Sequence, residues 1–255
     1  MILFHSDLDN TLIYSYKREV GKAKRCVELY NGREVSFMTE KTFQLLKKAA
    51  DKVMLVPTTT RTVEQYERIS LGIGVPRYAL TCNGGILLIN GQRDQEWYRQ
   101  SVQLVEACFE ELCRAVDILE KDKNRNFEVR FIEGLFVFTK SEKPEMTMQR
   151  LKERIDLEKI DILQNGVKIY AVPKTLSKGN AVKRLQKMIC PEYIIAAGDS
   201  EFDLSMLACA DLAVVPGKLA QKYFIRKDKV VIENECIYSE GMLEYIWSFL
   251  EHREM

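Results

Sequence analysis

Met1 to Leu12 reads MILFHSDLDNTL. The apolar run Ile2 to Phe4 leads straight into Asp7, Leu8, Asp9, Asn10 and Thr11. It is too short for a helix and has the character of a buried central strand. Residues i and i+2 of an extended chain point the same way, so Asp7 and Asp9 would repel one another with nothing between them. Two like charges a few Å apart raise one pKa or recruit a cation. A hard divalent ion with oxygen ligands, most simply Mg2+, resolves that conflict.

The order Asp7-x-Asp9-x-Thr11-Leu12 after an N-terminal strand resembles motif I of the haloacid dehalogenase superfamily of phosphotransferases. Taken alone, it also fits an acidic loop or another metal-binding Asp-x-Asp, because short motifs recur. Three further motifs would have to follow in order.

The bulk properties narrow the classes. The chain has 255 residues, enough for one large domain or two small ones. Lys and Arg number 38 against 37 Asp and Glu, a net charge of +1, so there is no electrostatic footprint for nucleic acid or an anionic membrane. Seven Cys without a Cys-x-x-Cys pair and two His supply zinc poorly and suit reduced thiols in a cytoplasm. No apolar run approaches the ~20 residues of a membrane helix, and the N-terminus lacks the basic lead of a signal peptide.

Further along, Cys26 to Tyr30 and Arg33 to Phe37 around Asn31-Gly32 predict a hairpin. In the family a flap of this kind follows motif I; a plain surface hairpin fits as well. Thr39 caps a predicted helix to Ala50. The strand Val53 to Val56 ends in Pro57-Thr58-Thr59-Thr60-Arg61. This resembles motif II, with Thr59 as the phosphate-contacting hydroxyl, Arg61 near the substrate and Thr60 where Gly is usual. A predicted helix spans Thr62 to Leu71, and the strand Tyr78 to Thr81 ends Cys82-Asn83-Gly84. That step resembles the Asn-Gly-Ala with which type IIB members leave the core, placing Asn83 beside the substrate; an ordinary turn reads equally well.

From Gly85 to Val172 the pattern changes. Hairpins at Asn90-Gly91, Gly134 and Asn165-Gly166 alternate with helices over Ser101 to Ala115 and from Pro144. Such a pattern implies an antiparallel sheet with helices on one face. The expectation is a cap domain, 85–172, inserted into a core of 1–84 and 173–255.

After the insert, Ser177-Lys178-Gly179 begins a helix. A Lys in the first turn opposes the helix dipole, and Gly179 is a poor helix former. The pair resembles motif III, with Lys178 meeting phosphate and nucleophile. Tyr193 to Ala197 is a strand ending Gly198-Asp199-Ser200-Glu201-Phe202-Asp203, which resembles motif IV. There Asp199 is a metal ligand, and Asp203 either holds the ion's waters or orients Lys178. Phe202 stands where type IIB members usually carry Asn. Strands at Asp211 to Val215 and Val230 to Ile232, then a helix from Gly241, complete the core. His5 reads best as a satisfied core histidine. Arg130 and Lys168, on cap strands, read as exposed charges before they read as substrate contacts.

The resemblance spans essentially the whole chain. It implies an α/β fold: a Rossmann-like parallel sheet core with an inserted α+β cap of type IIB. Every motif ends a predicted strand, where such sheets bind ligands. The implied activity is phosphate monoester hydrolysis with Mg2+ and an aspartyl-phosphate, Asp7 being the nucleophile and Asp9 the general acid and base. The implied metal set is Asp7, Asp9, Asp199 and Asp203. The expected partner is a small phosphorylated metabolite, a sugar phosphate first, with no nucleic acid or membrane; the oligomeric state is left open, a monomer being compatible. A phosphomutase and a non-enzymatic binding protein on the same fold are the alternatives.

Overall fold

The computed structural model describes residues 1–225, 228–233 and 236–253. In chain order, the first part carries β1 (Ile2–Ser6), β2 (Tyr14–Ser15), β3 (Lys24–Tyr30), β4 (Arg33–Thr39), α1 (Glu40–Ala50), β5 (Met54–Pro57), α2 (Val63–Glu67), β6 (Tyr78–Thr81), β7 (Ile86–Ile89) and β8 (Gln92–Arg93). There follow α3 (Gln95–Val105), α4 (Phe109–Glu120), β9 (Arg130–Ile132), β10 (Phe136–Lys140), α5 (Pro144–Lys152), β11 (Ile160–Asn165) and β12 (Lys168–Pro173). The last part is α6 (Lys178–Ile189), β13 (Tyr193–Ala197), α7 (Leu204–Cys209), β14 (Leu212–Pro216), α8 (Gly217–Lys222), β15 (Val230–Ile232) and α9 (Tyr238–Arg253).

These elements form two compact units, 1–93 with 178–255, and 94–177. The sequence pattern expected the insert to start at 85. Instead β7 pairs antiparallel with β6, and β8 with β7, which ties this hairpin to the first unit.

The first unit is built on a parallel sheet in the order β15-β14-β13-β1-β5. Its central strands are apolar on both faces, as a doubly covered parallel sheet requires: Leu3, Phe4, Ile194, Ile195, Ala213 and Val214 are all buried. One face carries a cluster including Leu46 of α1 with Met242, Leu243 and Ile246 of α9. The other carries Val182 of α6 with Met206 and Leu207 of α7. Register aligns Ser6 with Ala197 and with Pro57, so Asp7, Gly198 and Thr58 leave the sheet side by side.

The second unit is an antiparallel sheet in the order β11-β12-β10-β9. Val137, Ile162, Ile169 and Ala171 pack with Leu112 and Leu119 of α4 and Leu151 of α5. The helix expected over Ser101 to Ala115 is two helices, and the Asp94 side chain starts the first by accepting from the Trp97 amide. The helix expected over Thr62 to Leu71 ends at Glu67. The next residues bind the flap strand instead, through Ser70 N–H to Val27 O. The final helix starts at Tyr238, three residues before the expected Gly241.

Among the described residues, no helix is long and apolar enough to cross a membrane.

Candidate active site

The carboxyl ends of β1 and β13 deliver the acidic groups, and that of β5 delivers Thr59. Asp7 continues β1 through its amide hydrogen bond to Ala197 O at 3.0 Å. The Lys178 ammonium donates to Asp7 Oδ1 at 2.7 Å and to Asp203 Oδ1 at 2.6 Å. Ligand oxygens of Asp7, Asp199 and Asp203 lie within 4.8 Å of one another.

Two glycines make this convergence possible. A Cβ on Gly179 would stand 2.3 Å from the Ser205 carbonyl, so only glycine lets α6 lie against α7 there. The helix-breaking residue at the start of α6 is what brings Lys178 beside Asp203. A Cβ on Gly198 would meet Asp203 Cβ at 2.4 Å. With that space clear, Asp203 Oδ2 accepts from Asp199 N–H, Ser200 N–H and Ser200 Oγ at 3.0, 2.9 and 2.8 Å.

Burial dominates the electrostatics. It pushes Asp7 up to about 7, with Lys178 pulling down and the Asp203 and Asp9 charges adding to the rise. It pushes Asp199 up to about 8, and Asp7 and Asp203 raise it further. For Lys178 burial works against the charge, but Asp203 and Asp7 outweigh it and hold the ammonium above its ordinary value. Three carboxylates against one ammonium leave a negative cluster of hard oxygen donors, which fits a divalent cation. Asp203 spends both oxygens on Lys178 and the 199–200 loop, so it suits orientation better than direct ligation.

Asp9 sits differently from the other acids. Arg61 donates Nε to its Oδ2 at 2.7 Å and NH2 to its Oδ1 at 2.8 Å, a two-pronged ion pair. Arg61 NH1 lies 2.9 Å from Oε2 of Glu28, a buried acid on β3. Burial opposes the Arg61 charge, but Asp9 and Glu28 outweigh it and keep the guanidinium firmly protonated. Asp9 is outside the three-carboxylate group.

Thr59 is buried, and its Oγ1 accepts from the Arg61 amide at 3.2 Å. Thr11 is buried, with no partner for Oγ1 among the described residues. Asn83 donates its amide to Thr59 O at 3.0 Å, from a left-handed backbone at φ 58° shared with Cys82 and Gly84. Phe202 is buried and Thr60 half-buried. In the second unit Arg130 is ion-paired with Glu128. His5 is fully buried, but it is not the satisfied core histidine expected: Nδ1 meets Thr58, while Nε2 has no partner among the described residues.

Sequence reasoning passed over Glu28, Ser200 and the packing role of Gly198. A signal for Ser200 was present, since Ser200-x-x-Asp203 has the spacing of a capping box and forms one. None existed for Glu28, whose partners are 8, 33 and 40 residues away.

Comparisons with known proteins bear on the fold. A family model described as haloacid dehalogenase-like hydrolase matches residues 110–235. No curated protein matches the chain. Among solved structures, the sucrose-phosphatase of Synechocystis sp. PCC6803 aligns with TM-score 0.69 at 18% identity, covering 97% of both chains. A trehalose-6-phosphate phosphatase related protein aligns at 0.57 and 15%, covering 100% of both. A phosphatase of the superfamily from Bacteroides thetaiotaomicron aligns at 0.56 and 15%, covering 97% of this chain and 94% of that one. The chain is thus similar over residues 110–235 to the haloacid dehalogenase-like hydrolases, and it shares the fold of these phosphatases, a parallel core interrupted by an α+β unit.

Proposed function

We propose that this protein is a Mg2+-dependent phosphatase that hydrolyses a small phosphorylated metabolite through an aspartyl-phosphate on Asp7. The observation that carries the reading is the Lys178 ammonium, held between Asp7 and Asp203 with Asp199 alongside. Phosphate monoesters resist hydrolysis so strongly that catalysis must supply up to ~10^21-fold acceleration. A buried carboxylate with a fixed ammonium beside it suits in-line attack on phosphorus.

In the first step an Asp7 carboxylate oxygen bonds to phosphorus as the ester P–O bond breaks, and Asp9 gives its proton to the leaving oxygen. In the second, water attacks phosphorus, Asp9 takes a proton back, and the Asp7–phosphorus bond breaks to release phosphate. Such acid–base help is typically worth ~10^2 to 10^4. Lys178 and Thr59 would offer charge and a hydrogen bond to the phosphoryl oxygens. Asp7, Asp199 and the Asp9 carbonyl would hold Mg2+, which when bound neutralises charge on the phosphoryl group. Thr11 and Asn83 would line the substrate side. A cytoplasmic setting goes with this chemistry, since all seven cysteines are free thiols.

Sugar phosphates are the first substrates to try, because similar folds belong to proteins named for sucrose and trehalose phosphates. The test is phosphate release from a panel of sugar phosphates with Mg2+, comparing wild type with Asp7→Asn. Equal release by both would overturn the reading. An isomerised sugar phosphate without free phosphate would replace it with a phosphomutase.

A further inference from the structure

Val27 and Glu28 are neighbours on β3, and both are buried. A regular strand would turn one of them outward. The pairing of β3 with β4 slips on either side of Glu28, and such a bulge re-aims a side chain. Leu29 and Tyr30 immediately beyond are exposed, so the hairpin turns inward its charged residue and not these apolar ones.

A buried carboxylate is costly unless it is paired and hydrogen-bonded. Glu28 is fully engaged. Ser36 Oγ donates to Oε2 at 2.6 Å, Arg61 NH1 lies 2.9 Å from the same oxygen, and Arg68 NH2 lies 3.0 Å from Oε1. The backbone fixes the same place, through a bridge between Glu28 and Ile69 and the Ser70 amide to Val27 O.

Arg61 then divides its fork. Nε and NH2 grip the two oxygens of Asp9, and NH1 is held by Glu28. A guanidinium is planar and its donors have fixed directions. Fixing NH1 therefore fixes the face offered to Asp9.

Resting on the phosphatase reading, we propose that Glu28 is a positioning residue for the general acid: it holds Arg61, and Arg61 sets the orientation from which Asp9 serves the leaving group. Two acids and two arginines balance in this network, so Arg61 keeps an anionic partner when Asp9 turns to the substrate. The role is separate from metal binding, because Glu28 is engaged by Ser36, Arg61 and Arg68 and the three clustered carboxylates are Asp7, Asp199 and Asp203.

Leaving-group dependence tests it. An alkoxide leaving from a hexose 6-phosphate needs a proton, whereas a dinitrophenolate is a stable anion and does not. In Glu28→Gln, kcat on the hexose phosphate should fall about 10- to 100-fold, a partial loss reaching the lower end of the ~10^2 to 10^4 that general-acid help supplies, and on 2,4-dinitrophenyl phosphate less than about 3-fold. KM should change little on either. Arg68→Met removes the other cation on Glu28 and should keep the wild-type ratio between the two esters. Arg61→Lys keeps a charge but loses the fork, so it should show the same bias as Glu28→Gln and decides the matter if that variant does not fold. Equal losses on both esters, a change confined to KM, or no loss would overturn the proposal. Wild type inactive on both esters would instead sink the phosphatase reading.

Discussion

Gly198 and Asp203 share one space: a Cβ on Gly198 would lie 2.4 Å from Asp203 Cβ and 2.7 Å from its Oδ2. The carboxylate occupies the room that the missing side chain leaves, and from there it caps the 199–200 loop and holds Lys178. Gly198→Ala should therefore displace Asp203 and loosen Lys178. Overpacking of this kind costs about 1–3 kcal/mol. Phosphate release should fall by ~10-fold or more, as losing ~1.4 kcal/mol of transition-state stabilisation would give. Thermal melting beside a phosphate assay checks both; an unchanged melting temperature with full activity would refute the packing account.

Lys178 is buried between two acids, and removing it leaves both without a cation. Breaking a buried pair by deleting one partner costs ~3–5 kcal/mol. Lys178→Met should lower the unfolding free energy by about that much in urea titrations without divalent metal. Adding Asp203→Asn should recover part of it, since an amide needs no counter-ion. Activity should be absent from both variants. A urea midpoint equal to wild type would show that Lys178 is not the cation balancing these carboxylates.

The parts of this site that a reader of the sequence can find are those set by neighbours along the chain. Asp7 and Asp9 follow a strand, Lys178 opens a helix, and Asp199 and Asp203 flank a turn; spacing alone brings each to its element's end. The Asn31-Gly32 hairpin was legible for the same reason, both residues taking the left-handed backbone that its turn needs. Glu28 was not legible, because an inward acid on an edge hairpin depends on a bulge and on arginines supplied by another segment. Arg61 was expected at the substrate and is committed to Asp9 and Glu28. The short α2 and the break between α3 and α4 also escaped notice. In α2, the docking of 69–70 on the flap overrides local helix preference.

Asp7 and Asp199 give the metal-free protein a particular pH response. Their folded values, about 7 and about 8, lie above the ordinary carboxylate range. Between roughly pH 4 and those values, the folded state binds more protons than the unfolded one, so stability falls as pH rises. In chelator, the melting temperature should therefore drop from pH 5 to 8. Excess Mg2+ should flatten that drop, because a bound cation favours the ionised carboxylates. Mg2+ should thus stabilise more at pH 8 than at pH 5, and chelator should abolish phosphate release. Parallel melting curves with and without Mg2+ would rule out ligation by this cluster.

His5 pulls the other way, and the effect is separable by mutation. Its Nδ1 is 3.0 Å from Thr58 Oγ1, whose own proton goes to Val56 O at 3.0 Å. The histidine must then donate from Nδ1, which leaves Nε2 as the bare nitrogen, buried without a partner among the described residues. Protonating Nε2 would bury an unpaired cation, and burial accordingly lowers the histidine to about 3. Below pH ~6.5 the unfolded chain takes up a proton that the folded one refuses, so this contribution is complete above that pH and is lost as pH falls. At pH 5 the loss is about 2 kcal/mol, from ~1.4 kcal/mol per pH unit. His5→Gln keeps a donor for Thr58 without the titration. Its stability relative to wild type should rise by about that amount between pH 7 and 5 in urea titrations with chelator present. A pH-independent difference between the two proteins would mean that the histidine is not held neutral.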